Sequence, residues 1–445
     1  MHTNPLAHAS ILAMCLATFA ACSGDKPLEN GIGQTPSALE SAGTSSLGGD
    51  ASAAPSPSAR AALDAIRNTC AGYRQTPVDG GRPLGSPDAG PTTSPLDLSS
   101  NADVSSLADN GQGEFVPTFA ADAVQRTWQK ARVTIPRQLD RAVRVVGQTK
   151  SATITVAISG ASRTQGEHAD GYVIYQDAHG PGGHVVRRPN VDGFEDFFAF
   201  PRAPASPEVA YDVQLEAGIA GLRLVSNTLE FLDADGMPRL RVSPPQLRTA
   251  SCELVEAKIA VEQCAVDSDP RVPWGRAVTA AGATSCRVRV SWDAQKVTYP
   301  ALLDPWVTTN LWMARWDFDA VPITAGGVPS VLVAGGAYFS GSVVQATAQT
   351  EVLNTTTGAW TITGPLTYGR WGHRASVVGG NVVVTGGQRP FASHGGGRYP
   401  RAIESYNPAS GMWTVLTNLS SSGRRAYHSA TVVSSGTKIL VTGGT

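Results

Sequence analysis

A chain of 445 residues is long enough for two or three domains, and its 42% apolar content is that of a globular protein enriched in Gly and Pro. With 35 Lys and Arg against 36 Asp and Glu, the formal net charge of −1 offers no electrostatic footprint for nucleic acid or an anionic membrane surface. No apolar run reaches the length of a bilayer-spanning helix.

The first element is Ile11–Ala21, a short apolar run that ends in Phe19-Ala-Ala-Cys22. Small residues before a cut site give it the shape of a secretory signal. It resembles a bacterial lipoprotein signal, which implies that residues 1–21 are removed and that Cys22 is the lipidated first residue. Two features depart from that pattern: residues 1–10 hold no Lys or Arg, and Phe19 stands where Leu is usual. Ser23 after the cysteine implies, by the sorting tendency of such signals, the outer membrane of a bacterial cell envelope, on its periplasmic or surface face; a secreted protein is the alternative.

Residues 22–112 are rich in Ser, Gly, Pro, Ala and Thr. Such a segment buries too little apolar area to offset its ordering entropy, so a flexible tether is expected. Within it, Ser58–Gly72 reads as one short helix, capped by Ser58, with Leu63, Ile66 and Cys70 on one face.

From 113 to 305 the period switches to two. Thr153–Ser159, Tyr172–Asp177, Tyr211–Glu216, Thr228–Leu232, Val255–Val261 and Cys286–Trp292 read as strands, separated by turn signals such as Asp235-Gly236 and Pro181-Gly182-Gly183. About ten strands in an antiparallel sandwich are expected. The strings Asp192–Phe200, Gly221–Leu224, Leu229–Asp233 and Tyr299–Asp304 resemble the β-rich module that precedes repeat arrays in large bacterial surface proteins. Four cysteines remain beyond the signal and Cys22: Cys70, Cys252, Cys264 and Cys286. In an exported chain, Cys264 and Cys286 are the favoured pair because they share this module; a loop of that size contributes roughly 3 kcal/mol. No CxxC or His/Cys ligand spacing points to structural zinc.

Residues 306–445 repeat themselves. Glu351-Val-Leu-Asn-Thr-Thr-Thr-Gly-Ala-Trp360 aligns with Glu404-Ser-Tyr-Asn-Pro-Ala-Ser-Gly-Met-Trp413, and Arg370–Val378 aligns with Arg425–Val433. An apolar run ending in a Gly pair recurs at Gly335-Gly336, Gly386-Gly387 and Gly443-Gly444. The period of about fifty residues suits a four-stranded blade. The Asn-x-x-x-Gly step is hairpin chemistry, and the Trp after it supplies apolar surface between blades. These residues resemble kelch repeats, including Tyr406 seven residues before Trp413; Leu353 stands at that position in the earlier unit, and Phe318 where later units have His373 and His428. The resemblance implies an all-β fold: a sandwich-like module followed by an incomplete propeller of about two and a half blades. Because a ring needs at least four blades, more units are expected beyond Thr445, with the last hairpin an open edge.

Sites for chemistry are sparse. Asp233-Ala-Asp235-Gly236 lacks the closing Glu of a calcium loop and reads as a hairpin turn. His373 and His428 recur at equivalent places, which marks scaffold, since a site draws different residues from different blades. The long loop Gln388–Ala402, with Phe391, His394, Arg398, Tyr399 and Arg401, suits a glycan or an acidic peptide. Nothing resembles GxSxG, HExxH or a Walker loop. The resemblance therefore implies a non-catalytic binding scaffold without cofactor or metal, whose partners are the membrane, through its lipid, and a protein or glycan. The alternatives are a sugar epimerase-like enzyme or a purely structural envelope protein. The copper-radical oxidases of the same family need a propeller cysteine, and none follows Cys286.

Overall fold

Alternating apolar residues between 101 and 308 fold into strands, and every pairing between named strands is antiparallel. The structure, a computed structural model, describes residues 57–67, 98, 101–127, 130–147, 152–251, 253–308, 315–340, 343–390, 399–420 and 423–445. The signal segment 1–21, Cys22, Cys70 and Cys252 lie outside these residues. The all-β expectation holds.

Between 101 and 308 the described residues form nineteen strands in two sheets, seventeen of them within 113–305, where about ten were expected. One sheet of eight runs in the order Val104–Asp109, Glu114–Phe119, Ala131–Pro136, Val143–Gly147, Thr153–Ile158, Glu208–Leu215, Ser285–Ser291, Lys258–Glu262. The other, of eleven, is built around Gly193–Phe200, which pairs with His184–Asn190 along one edge and with Ala301–Asp304 and Trp306–Thr308 along the other. Strands of three residues, such as Gln246–Arg248, show too few alternations to be read from sequence. The expected strand Val255–Val261 is two. Leu254–Glu256 joins one sheet, Lys258–Glu262 the other, and the fully buried Ala257 is the crossing point. Ile154, Val213, Val288, Phe198, Phe231 and Leu240 interleave between the sheets as the main core.

Two parts of the expected tether are folded. Pro57–Arg67 is a helix whose Ala59, Ala62, Leu63 and Ile66 close over Tyr172, Val186, Phe197 and Leu302. Asp170 holds it by ion pairs to Arg60 (2.6 Å) and Arg67 (2.9 Å). Ser58 is not its cap but lies inside the helix, with its hydroxyl on Glu167. Val104–Asp109 is the edge strand of the eight-stranded sheet. A short amphipathic stretch within a polar segment can dock when a neighbouring sheet leaves an apolar face to cover.

Among the described residues, the repeats form two four-stranded sheets, a small two-stranded sheet (Ala337–Ser340 with Val343–Ala346) and a hairpin. The first holds Asp319–Ala325, Val328–Ala334, Thr350–Asn354 and Trp360–Ile362; the second holds Arg374–Val378, Asn381–Thr385, Ala402–Asn407 and Met412–Asn418. Ser429–Val433 and Lys438–Thr442 make the hairpin. The Asn354 and Asn407 side chains accept bonds from backbone amides in the turns that follow, as that turn chemistry predicts.

A strap binds module to repeats. Residues 264–286 form a loop closed by the Cys264–Cys286 disulfide (Cα–Cα 5.4 Å), the pairing expected from sequence. It carries Val272 and Trp274 into a second core with Met237, Ile323, Leu332, Val382, Tyr406 and Trp413. The Trp274 indole N–H donates to the Ala325 carbonyl at 3.2 Å. Beside it runs a buried chain of charges. Arg223 donates to Glu230 (2.6 Å), Arg241 lies between Glu230 (3.6 Å) and Glu351 (3.1 Å), and Arg315 closes on Glu351 (2.7 Å). All five side chains are at most 3% exposed.

Candidate functional site on the loop face of the repeats

Each unit enters its first strand through four residues: Arg315-Trp-Asp-Phe318, Arg370-Trp-Gly-His373 and Arg425-Ala-Tyr-His428. The first position is scaffold. Arg370 reaches the Gly386 and Ala402 carbonyls at 2.9 Å and pairs with the buried Glu404; Arg315 pairs with Glu351; Arg425 reaches the Gly443 carbonyl at 3.2 Å. The second position exchanges backbone hydrogen bonds with the residue after each Gly pair: Trp316 with Ala337, Trp371 with Gln388, Ala426 with Thr445. The Gly pair also lets the next unit's entry come close. A Cβ on Gly335 would sit 2.6 Å from the Arg370 carbonyl, and one on Gly386 2.5 Å from that of Arg425.

The fourth position is also scaffold. His373 and His428 are buried, and burial beside arginines lowers their imidazoles to about 3 and about 4. His428 bonds Thr385 Oγ1 at 2.9 Å. Neither histidine is free to meet a ligand.

The third position differs in every unit. Asp317, Gly372 and Tyr427 follow one another across the three inner strands, joined by backbone bonds from Gly372 N to Asp317 O (2.9 Å) and from Tyr427 N to Gly372 O (2.7 Å). Gly372 is bare because the Tyr427 ring lies over it: a Cβ there would stand 2.9 Å from the ring. That placement lets the Tyr427 hydroxyl donate to Asp317 Oδ2 at 2.9 Å while accepting from Gln388 Nε2 at 3.1 Å. Partial burial, then the Asp317 carboxylate, pushes the phenol pKa up, so it stays protonated at neutral pH. Trp316, Phe318 and Tyr427 are 37%, 42% and 48% exposed, leaving aromatic surface around the polar triad. Such a set can hydrogen-bond a ligand and stack against it; it holds no nucleophile–base pair. Among the described residues, no group of three His, Cys, Asp or Glu side chains is placed to hold a metal ion.

Gln388, the first residue of the long loop, thus belongs to the cluster. Its neighbour Arg389 sits 5.6 Å over the Tyr368 ring. At the loop's far end Tyr399 is half-buried, and Arg401 is exposed with its Nε on the Leu419 carbonyl. Phe391, His394 and Arg398 lie outside the described residues. Tyr406 is fully buried with its hydroxyl 2.9 Å from Thr363 Oγ1; Trp413 donates to Thr350 Oγ1 across the two sheets, and Trp360 is half-buried. Gly336, Gly387 and Gly444 take positive φ beside their partners. Asp317 and Tyr427 do not recur between units, so the repeat pattern does not mark them. Their signal in the sequence is the reverse, a position that differs in every unit of a repeated segment.

No family model matches the chain, and no curated protein matches it. Among solved structures, one titled "Structure of YjhT" is similar over 49% of this chain and 56% of that one, at 11% identity and a TM-score of 0.23. The chain thus spans little more than half the length of that structure.

Proposed function

We propose that this protein is a non-catalytic, kelch-type binding scaffold held at a bacterial cell envelope through a lipidated Cys22, and that its ligand, a protein or a glycan, touches the loop face around Asp317, Gln388 and Tyr427. One observation carries the reading. The inner loops share the arginine that holds the sheets together and differ in every unit at the third position, where the exposed Asp317 and Tyr427 converge. Variation at exposed positions of a repeated scaffold is how a repeat array acquires a specific surface.

Full-length protein displayed on glycan and peptide arrays tests this, beside the Asp317→Ala/Tyr427→Ala double variant. The reading expects at least a tenfold loss of whatever signal the wild type gives. Retained binding, or sugar mutarotation by the wild type, would refute it. Labelling with radioactive palmitate in a Gram-negative host tests the anchor separately; an unlabelled mature form would remove it.

A further inference from the structure

The repeats have a second accessible face, opposite the loop face. There the turns between first and second strands (Gly326-Gly327 and Gly379-Gly380) and the Asn407–Ala409 turn meet the strap at Arg271–Arg276. Together they enclose an open cleft of about 850 Å³ between module and repeats. Clefts of this size at the junction of two structural units are where small ligands usually bind.

Its chemistry is narrow. Two arginines line it, yet each is already neutralised within the strap: Arg271 by Asp269, with its Nε at 2.8 Å, and Arg276 by Asp267. Arg271 draws Asp269 down to about 2, so this pair stays ionised and balanced across the working pH range. An anion would therefore have to displace a carboxylate, and a cation would meet no uncompensated acid. The remaining polar groups are the planar amides of Asn381 and Asn407, the exposed Thr324 hydroxyl and the backbone of the glycine turns. Pro322 and Val377, on the two inner strands, present exposed aliphatic surface between them; Val377 is 37% exposed. Trp274 lies in the wall, but it is buried and not offered as a stacking plate.

Neutral amides, paired guanidinium–carboxylate forks and flat C–H surface match the hydroxyls and C–H faces of an uncharged sugar. We infer that the cleft between the strap and the repeat turns binds a short uncharged oligosaccharide. This site is independent of the loop face, and its outcome does not depend on the function proposed above.

The test is calorimetric titration of the full chain with uncharged hexasaccharides (maltohexaose, cellohexaose and chitohexaose), with an oligogalacturonate as the anionic comparison. At least one neutral sugar is expected to bind. Asn381→Trp, which fills the cleft from an exposed turn, should weaken that binding at least tenfold, and Arg271→Ala at least threefold. Lys258→Ala, at an exposed position of the module outside both the cleft and the loop face, should leave it unchanged. Circular dichroism melting of each variant establishes that it is folded. Failure of all three neutral sugars, binding of the anionic sugar alone, or equal binding by Asn381→Trp would each overturn the inference.

Discussion

His373 shows how a single side chain can tie stability to pH. It is fully buried beside Arg370, Arg374 and His428, and burial lowers its pKa from 6.5 to about 3. The unfolded chain therefore binds a proton that the folded chain refuses between those values. Stability from this group is complete above about pH 6.5 and is lost as pH falls toward about 3, on the order of 2–3 kcal/mol by about pH 4.5. Urea unfolding across this range should show the slope, and His373→Phe, the residue type at the matching place in the first unit, should reduce it and leave the share that comes from His428. Asp304 has the opposite sign. Burial, then the neighbouring Glu195, raises its carboxyl well above the usual value, while Glu195 is itself raised to about 7. Such groups cost stability as pH rises. Asp304→Asn should stabilise the protein at about pH 8, on the order of 1–3 kcal/mol, and much less at about pH 4. Equal stability of variant and wild type at both values would count against this.

At the scale of elements, the strap is the piece to break. Trp274→Ala should cost about 3–5 kcal/mol, because a large side chain is removed from a closed core. Replacing both Cys264 and Cys286 by Ser should cost about 3 kcal/mol by freeing the loop in the unfolded state. Both are read from denaturation midpoints. The repeat strands were legible in sequence because each pairs with a near neighbour and the pattern returns after one unit. Gly335, Asn354 and Trp413 are local signals with local causes. The module was less legible. Alternation marks Tyr211 or Val288 as strand residues, but nothing local says that Glu208–Leu215 lies between Thr153–Ile158 and Ser285–Ser291. The helix Pro57–Arg67 was visible, but its docking was not, since the face it covers is assembled from Tyr172, Phe197 and Leu302, far apart in sequence. Glu230 misleads in another way. In a strand a charged residue normally faces water, yet all five residues of Thr228–Leu232 are buried, and Glu230 meets the repeats instead. Of the candidate site, Gln388 begins the long loop that the sequence marks by its composition, while Asp317 and Tyr427 are brought together only by the inner strands lying side by side.

For the whole molecule, the charge chain from Arg223 to Arg315 matters most. Glu351 belongs to the repeats by sequence, but it is shared between its own unit's Arg315 and the module's Arg241. Glu351→Ala would leave two buried guanidinium groups without that carboxylate, at a cost of about 3–5 kcal/mol. Module and repeats should unfold in one calorimetric transition in the wild type, and a separate early transition for the repeats should appear in this variant. Two resolved transitions in the wild type would contradict it.

The helix Pro57–Arg67 has a consequence of a mechanical kind. A pull applied to the chain on the amino-terminal side of residue 57 reaches this helix before any sheet. It is held by the side chains of Leu63 and Ile66, two small alanines, and ion pairs centred on Asp170. Full burial of each larger side chain is worth only about 1.5–3 kcal/mol, and partly exposed ion pairs add little. The sheets behind it are cross-linked by long antiparallel ladders and one disulfide. In a force-extension experiment the helix should therefore let go first, as a small, reversible step at low load. The released length would absorb the pull and leave the repeats and their loop face undistorted.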